Sequence, residues 1–405
     1  MTPAPELLEQ RPAVRPEIVL GPVLRRGPAQ VCAVWDPRRD RRYELSGRLR
    51  FVMGRLDGRR TLADVGEEYR STFGVRLDEQ GWVRILTALG SRRLLTAGPD
   101  EAAPPSPPAE APYPRTLRYG RVVLGDPSAL LERWTAALRP VFTRVFFGCA
   151  TAVFLAALIA VGRHWQALTA DATALLRRPV LLLPVVLLLA VSTVLHELAH
   201  GMAARQFGGA ATEIGIAWFL PAVFPYCKVE GVSLFPSRGH RAATAFAGVF
   251  ANLAVLLPFC VLWWCTAPGG ALRPVAAGFL LAGVLAAAGN LLPLPGLDGY
   301  QVLGAALNMS DLSAESRRYL RLLIRKCTGG PDETLAYPRW TRRVYGGYPL
   351  LAVGSVGAFV VALVAVCFRV GTPVVGATAV AAVVSLVTAA ILGALVVRRV
   401  RAGAR

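Results

Sequence analysis

The apolar positions of this chain fall into two regimes. Over residues 1–145 they recur at short periods among charges, whereas from 146 onward they merge into long runs separated by polar loops. A helix needs roughly 20 consecutive apolar residues to cross a bilayer. Six runs of about that kind stand near 146–162, 179–203, 242–266, 274–296, 350–368 and 374–397, the first of them short. The pattern predicts a polytopic α-helical membrane protein of about six transmembrane helices. Its core covers 146–308, a basic loop covers 309–349, and two helices and a basic tail fill 350–405.

Ahead of the long runs, the pattern is that of a small soluble domain. Val31-Cys32-Ala33-Val34-Trp35 alternates as a strand does and turns at Asp36-Pro37, and a second strand is expected around Tyr43-Glu44-Leu45. Leu49, Val52, Met53 and Leu56 then form one helical face, stopped at Asp57-Gly58. Thr61 caps a helix carrying Val65 and Tyr69, with Asp64 in its first turn, and a last helix covers 78–90. Two strands and three helices predict a small α+β, winged-helix-like domain within 1–98. Residues 99–113 are a Pro/Ala linker with nothing to build a core. In 114–145, Leu130, Leu131, Trp134 and Leu138 stand at helical spacing, with Arg118, Arg121 and Arg133 nearby. That segment reads either as an amphipathic helix on the membrane surface or as a helix packed on the membrane body.

Charge adds orientation. The chain carries a formal charge of +19, and its basic residues are almost all arginine. Clusters at Arg317, Arg318, Arg321, Arg325 and Lys326, at Arg339, Arg342 and Arg343, and at Arg398, Arg399, Arg401 and Arg405 lie between or after the apolar runs. The positive-inside rule expects this placement, so anionic headgroups rather than nucleic acid are the expected counterions. Met1 is followed by a Pro- and charge-rich stretch with no apolar core, which predicts no secretory signal and a cytoplasmic amino terminus. An even number of spans then returns the carboxyl terminus to the cytoplasm. The seven cysteines form no C-x-x-C pair and read as small buried hydrophobes.

The chemistry lies in the second run, at His196-Glu197-Leu198-Ala199-His200. Two histidines at i and i+4 share one helix face, about 6 Å apart along the axis. Both imidazoles can reach one Zn²⁺, with the intervening glutamate beside the metal as general base. Ionisable groups in a membrane helix are costly and point to function; the plain alternative is a polar patch paired internally without metal. Catalytic zinc usually takes three protein ligands and keeps one position open, so the third is sought in another run. Asn290-Leu291-Leu292-Pro293-Leu294-Pro295-Gly296-Leu297-Asp298-Gly299 interrupts the fourth run, and irregular backbone at membrane depth is tolerated only against protein or a wet cavity. Asp298 is the acidic residue delivered there, although Asp-Gly after proline is also a helix-ending turn. Residues 212–236, aromatic around Trp218, Phe219, Phe224 and Tyr226, read as a substrate-gripping hairpin or re-entrant loop, or equally as an interfacial aromatic belt.

Together these motifs resemble the site-2 proteases, a family of intramembrane zinc metalloproteases. The zinc helix is followed by the family's N-x-x-P-x-x-x-L-D-G pattern, matched at Asn290, Pro293, Leu297, Asp298 and Gly299. Phe246-Ala247-Gly248-Val249-Phe250-Ala251-Asn252 is similar to its A-G-P-x-x-N element, with Val249 in place of the proline. Phe235-Pro236-Ser237-Arg238 is similar to a bacterial branch associated with peptide maturation and export. The resemblance covers roughly 180–310. It implies Zn²⁺ held by His196, His200 and Asp298, Glu197 as the catalytic base, and Asn290 and Asn252 near the substrate backbone or an oxyanion.

A second resemblance concerns the amino-terminal domain. Leu56-Asp57-Gly58-Arg59-Arg60-Thr61-Leu62, Phe73-Gly74 and Leu86…Leu94-Leu95 resemble the pyrroloquinoline-quinone peptide-chaperone family. Such domains serve as recognition elements for ribosomally made, post-translationally modified peptides and capture a leader by strand addition. A structural role and DNA binding through Arg59, Arg60, Arg92 and Arg93 are the alternatives. The combination implies an inner-membrane zinc endopeptidase that removes the leader from a modified precursor peptide, in a setting such as the daptide-type clusters. Its expected partners are the precursor, the bilayer, and the modifying enzymes or exporter of the same pathway. The rivals are regulated intramembrane cleavage of an anti-sigma factor or signal-peptide remnant, and a non-proteolytic export or immunity component.

Overall fold

A computed structural model describes residues 5–96, 119–219 and 222–386. The expected linker at 99–113, Arg118 and the basic tail lie outside the described residues.

The amino-terminal region starts with one helical turn, α1 (Pro5–Leu8), and continues with β1 (Val19–Arg26), β2 (Ala29–Asp36) and β3 (Arg41–Ser46). The strands form an antiparallel sheet in the order β1-β2-β3. Helices α2 (Gly47–Met53), α3 (Leu62–Phe73) and α4 (Glu79–Ser91) follow. The helix starts are local chemistry. Ser46 accepts from the Leu49 N–H, Asp78 accepts from the Gly81 N–H, and Thr61 and Asp64 form a reciprocal capping box. The core gathers Cys32, Val34, Val52, Leu62, Trp82 and Leu89.

The expected two strands become three. β1 escapes the alternation because Gly21-Pro22 interrupts it and the register shifts between Leu20 and Val23. Gly21 permits a close approach there: a Cβ would stand 2.9 Å from the Ala33 carbonyl oxygen and 3.2 Å from that of Ser233.

Among the described residues, five helices are long and apolar enough to cross a membrane: α6 (Arg144–Arg163), α8 (Leu182–Gln206, led by a short 3-10 turn from Pro179), α9 (Arg238–Cys265), α10 (Leu272–Asn290) and α13 (Arg339–Val375). Shorter helices accompany them: α5 (Ser128–Ala137), α7 (Trp165–Arg177), α11 (Asp298–Leu307) and α12 (Leu312–Cys327).

Two expectations change. The run at 350–368 belongs to a continuous 37-residue helix that starts at Arg339. At 1.5 Å per residue it spans about 55 Å, well beyond a hydrocarbon core of roughly 30 Å. Of the sixth run, only the apolar helix Ala377–Leu386 falls within the described residues, and its remainder lies outside them. The basic loop is also ordered. Its first part is α12, an amphipathic helix that buries Ser316 and Tyr319 and exposes Arg317, Arg318, Arg321, Arg325 and Lys326.

A second sheet flanks the apolar helices. β4 (Tyr119–Gly125), β5 (Ala210–Phe219) and β6 (Ala222–Glu230) pair antiparallel in the order β4-β5-β6. Residues 212–236 therefore contain a hairpin, and 114–145 contain a strand as well as the expected helix. That helix, α5, packs on the membrane body: Leu131 is fully buried with Leu198 of α8 and Ala211 of β5, while Leu130, Trp134 and Leu138 stay exposed.

The amino-terminal domain is docked on this body. The Arg25 N–H donates to the Asn308 carbonyl at 3.0 Å, and the Ser310 N–H donates to the Arg25 carbonyl at 3.0 Å, closing a parallel bridge between Arg25 and Met309. The Asn308 side-chain amide donates to the Val23 carbonyl at 2.9 Å. At the β1–β2 turn, the Gly27 N–H donates to the Tyr345 hydroxyl at 2.9 Å. Gly27 has φ +58°, and a Cβ there would overlap the Glu315 carboxylate.

Candidate metal centre

Helix α8 places Ser192, His196 and His200 on one face, at successive steps of four. The turn after α10 brings in the third group. Leu291–Leu297 runs without regular helix, with Gly296 at φ +93°, and α11 opens at Asp298. Gly299 makes the turn possible, because a Cβ at that position would overlap the Leu291 carbonyl. Glycine is thus required by packing at the end of the Leu-Asp-Gly element.

The three side chains converge. The Nε2 atoms of His196 and His200 are 3.2 Å apart. Asp298 Oδ2 lies 3.1 Å from His196 Nε2, and Asp298 Oδ1 lies 3.3 Å from His200 Nε2. Asp298 Oδ2 is buried and makes no hydrogen bond. Metal bonds of about 2.0–2.1 Å at tetrahedral angles set donors about 3.3 Å apart, so this buried group could hold a metal ion.

Both histidines are oriented from behind. His200 Nδ1 is 2.8 Å from the Thr244 carbonyl oxygen, which fixes the proton on Nδ1 and leaves Nε2 free as a ligand. His196 Nδ1 is 3.0 Å from the Asn252 amide, which is itself 3.1 Å from the Ser192 hydroxyl. The two orientations of that amide occupy the same heavy-atom positions. Here Asn252 Nδ2 faces the ring and Asn252 Oδ1 accepts from the Ser192 hydroxyl; with a metal on His196 Nε2, Nδ1 would carry the proton and the amide would be turned over to present its oxygen. Asn252 therefore acts here as a positioning residue behind a ligand, rather than as a contact to substrate. Removing such a partner typically weakens metal binding about 10–100-fold. Asn252→Ala is expected to do so, as measured by competition with a chromogenic chelator.

Gly248, one turn before Asn252 on α9, faces the ligands directly. A Cβ there would stand 2.5 Å from the Nε2 atoms of both His196 and His200. Gly248→Ala is expected to displace the imidazoles and abolish stoichiometric metal in the purified protein, as read by elemental mass spectrometry. The role of Gly248, like those of Thr244 and Ser192, was not predicted from sequence. For Ser192, the signal was available as its spacing of four before His196.

The Glu197 carboxylate also reaches β6, where its Oε2 accepts from the Cys227 N–H at 3.1 Å. Burial, and then the nearby Glu197 carboxylate, push the Cys227 thiol up to about 11. A neutral thiol at physiological pH is neither a nucleophile nor a good ligand; of the cysteines expected to be buried, only Cys32 is, while Cys149, Cys265, Cys327 and Cys367 are exposed on their helices. All seven cysteines are free. Asn290 closes α10 and does not line the cleft that holds His200 and Asp298.

That cleft has a volume of about 540 Å³ and is bounded by α9, β6, α11 and the start of α12. Arg241 braces its wall. The side chain is buried, donates from Nη1 to the Phe235 carbonyl at 2.6 Å, and donates from Nη2 to the Asn308 side-chain oxygen at 2.5 Å. Compared with protein-family models, with curated proteins and with solved structures, the chain finds no match in any of the three.

Proposed function

We propose that this chain is a multi-pass zinc endopeptidase of the inner membrane that cleaves a peptide precursor, removing the leader of a ribosomally made, modified peptide. The observation that carries this reading is the convergence of His196, His200 and Asp298 in a buried pocket, with Glu197 on the same helix between the two histidines. Two imidazoles and one carboxylate are a donor set suited to zinc with an open coordination position. The five apolar helices support a membrane setting, and the docked amino-terminal sheet supports a peptide substrate.

Zinc held by these three residues supplies Lewis acidity at a carbonyl and an acidified water at neutral pH. The chain's own residues supply the rest. Glu197, one residue from His196, accepts the proton of the attacking water and returns it to the departing amine. Thr244 and Asn252 hold the two imidazoles in a fixed orientation. The substrate enters extended, because a helix hides its carbonyls in its own hydrogen bonds.

One observation favours the rival reading, cleavage of a membrane-anchored substrate. An apolar recess of about 670 Å³, lined by Phe146, Phe147, Phe246 and Phe250, opens beside Ala199. The deciding experiment is mass spectrometry of the peptides in cells carrying the gene and its neighbouring small reading frames, comparing wild type with Glu197→Gln. A leader-sized mass difference confined to wild type supports leader removal. Identical peptide pools, with a membrane protein shortened only in wild type, support the rival.

A further inference from the structure

The cleft beside the metal ligands is not built by the membrane body alone. One of its walls is Leu24, in the middle of β1 of the amino-terminal domain. β1 is an outer strand of its sheet, and its free edge is already engaged: Val23 and Arg25 are hydrogen-bonded to Asn308 and Ser310, in the turn between α11 and α12. Gly21 lies against the Ser233 carbonyl, where a Cβ would stand 3.2 Å from its oxygen, and Gly27, at φ +58°, lies against the Glu315 carboxylate. The domain is therefore seated in a fixed register along the length of β1. Its position relative to Asp298 is set through α11, whose ten residues carry Asp298 at one end and run into Asn308 at the other.

The cleft is lined by apolar residues together with polar ones such as Ser233, Arg241, Thr244 and Gln301. Val232, Ala305, Met309 and Leu312 line the same cleft as Leu24, His200 and Asp298. A volume of about 540 Å³ falls within the roughly 300–1,000 Å³ typical of ligand sites. An extended chain whose carbonyl lies at the metal would project nearby side chains into this cleft.

We infer that the amino-terminal domain forms part of the peptidase's own substrate site: Leu24, with Val232, Ala305, Met309 and Leu312, makes an apolar subsite that selects an apolar side chain next to the bond being cleaved. The inference rests on the peptidase reading of this site. It assigns Leu24 as a specificity-determining residue and makes the domain a fixed wall of the cleft as well as a candidate leader-binding module.

The test uses the full-length, zinc-loaded protein in detergent and a synthetic library of decapeptides randomised at single positions, with products identified by mass spectrometry. Wild type is expected to prefer an apolar residue at one position near the cut. Leu24→Ala enlarges the subsite and is expected to move the preference toward bulkier side chains, whereas Leu24→Trp fills it and moves the preference toward small ones. A change of about one methylene in such a pocket alters discrimination about 10–200-fold, so shifts of tenfold or more are expected. A second readout needs no turnover. In a Glu197→Gln background, a photo-crosslinking benzoylphenylalanine at position 24 is expected to capture library peptides, and the same group at exposed Val75 is not. Active enzyme with unchanged selectivity in both variants, and no capture at position 24, overturns this inference and leaves the peptidase reading standing. A wild-type protein that cuts no member of the library overturns both.

Discussion

Glu197→Gln is expected to lower peptide cleavage by about 10²–10⁴-fold, the usual contribution of a general acid–base group, while leaving the metal in place. The geometry separates the two effects. The atoms that could hold a metal are the imidazole Nε2 atoms of His196 and His200 and the carboxylate of Asp298, whereas Glu197 accepts from the Cys227 N–H of β6. A glutamine keeps that acceptor, and with it the packing of α8 against β6, but it cannot take a proton from water. Product formation and metal content measured on the same preparation decide the matter. Loss of cleavage with full metal occupancy supports Glu197 as the base. Unchanged cleavage assigns the proton to another group, and loss of metal together with cleavage makes Glu197 part of the ligand set.

Asp298→Ala is expected to have the largest effect on the metal itself. His196 and His200 alone offer two donors, one fewer than catalytic zinc sites usually hold. Removing the carboxylate also removes the acidic donor of the group, so a dication would be held by two neutral imidazoles alone. The loss of affinity is expected to exceed the roughly 10–100-fold that follows removal of an outer partner such as Asn252. Elemental analysis of the purified variant checks this, with Asp298→Asn as the conservative companion. Metal content equal to wild type in both variants would show that Asp298 only ends the turn. The helices are expected to survive the change, since Asp298 is the first residue of α11 and Gly299 still fits under the Leu291 carbonyl.

Much of the frame was legible because it is written in local patterns. Hydropathy located four of the five apolar helices to within a few residues and the centre of the fifth. The caps at Thr61 and Asp78 fall where the hydrogen-bonding residues precede an apolar period. Elements whose local signal is broken were missed. β1 is cut by Gly21-Pro22, and β4 lies in a segment read as helical from its later residues. The short helix α7 also went unread. Its burial of Leu168, Ala172 and Leu175 against α10 is a matter of which face finds a partner, not of hydropathy. The continuity of α13 through Pro349 was hidden too, because a proline reads locally as a helix boundary.

For the site, the sequence by itself determined the helix that carries His196, Glu197 and His200, because a spacing of four on a helix is one face by geometry. It also marked Asp298 as a candidate, through prolines that break a helix where polar groups are costly. Tertiary structure alone decided that Asp298, about a hundred residues downstream, lies 3.1–3.3 Å from the two imidazoles. It alone decided that Gly248 leaves the space for them and that Asn252 stands behind a ligand. It also decided that β1 of the amino-terminal domain closes the cleft beside the metal ligands. The reason is physical: periodicity and capping act over a few residues, whereas the distance between side chains on α8, α9 and α11 is set by how those helices pack, and no single segment encodes that.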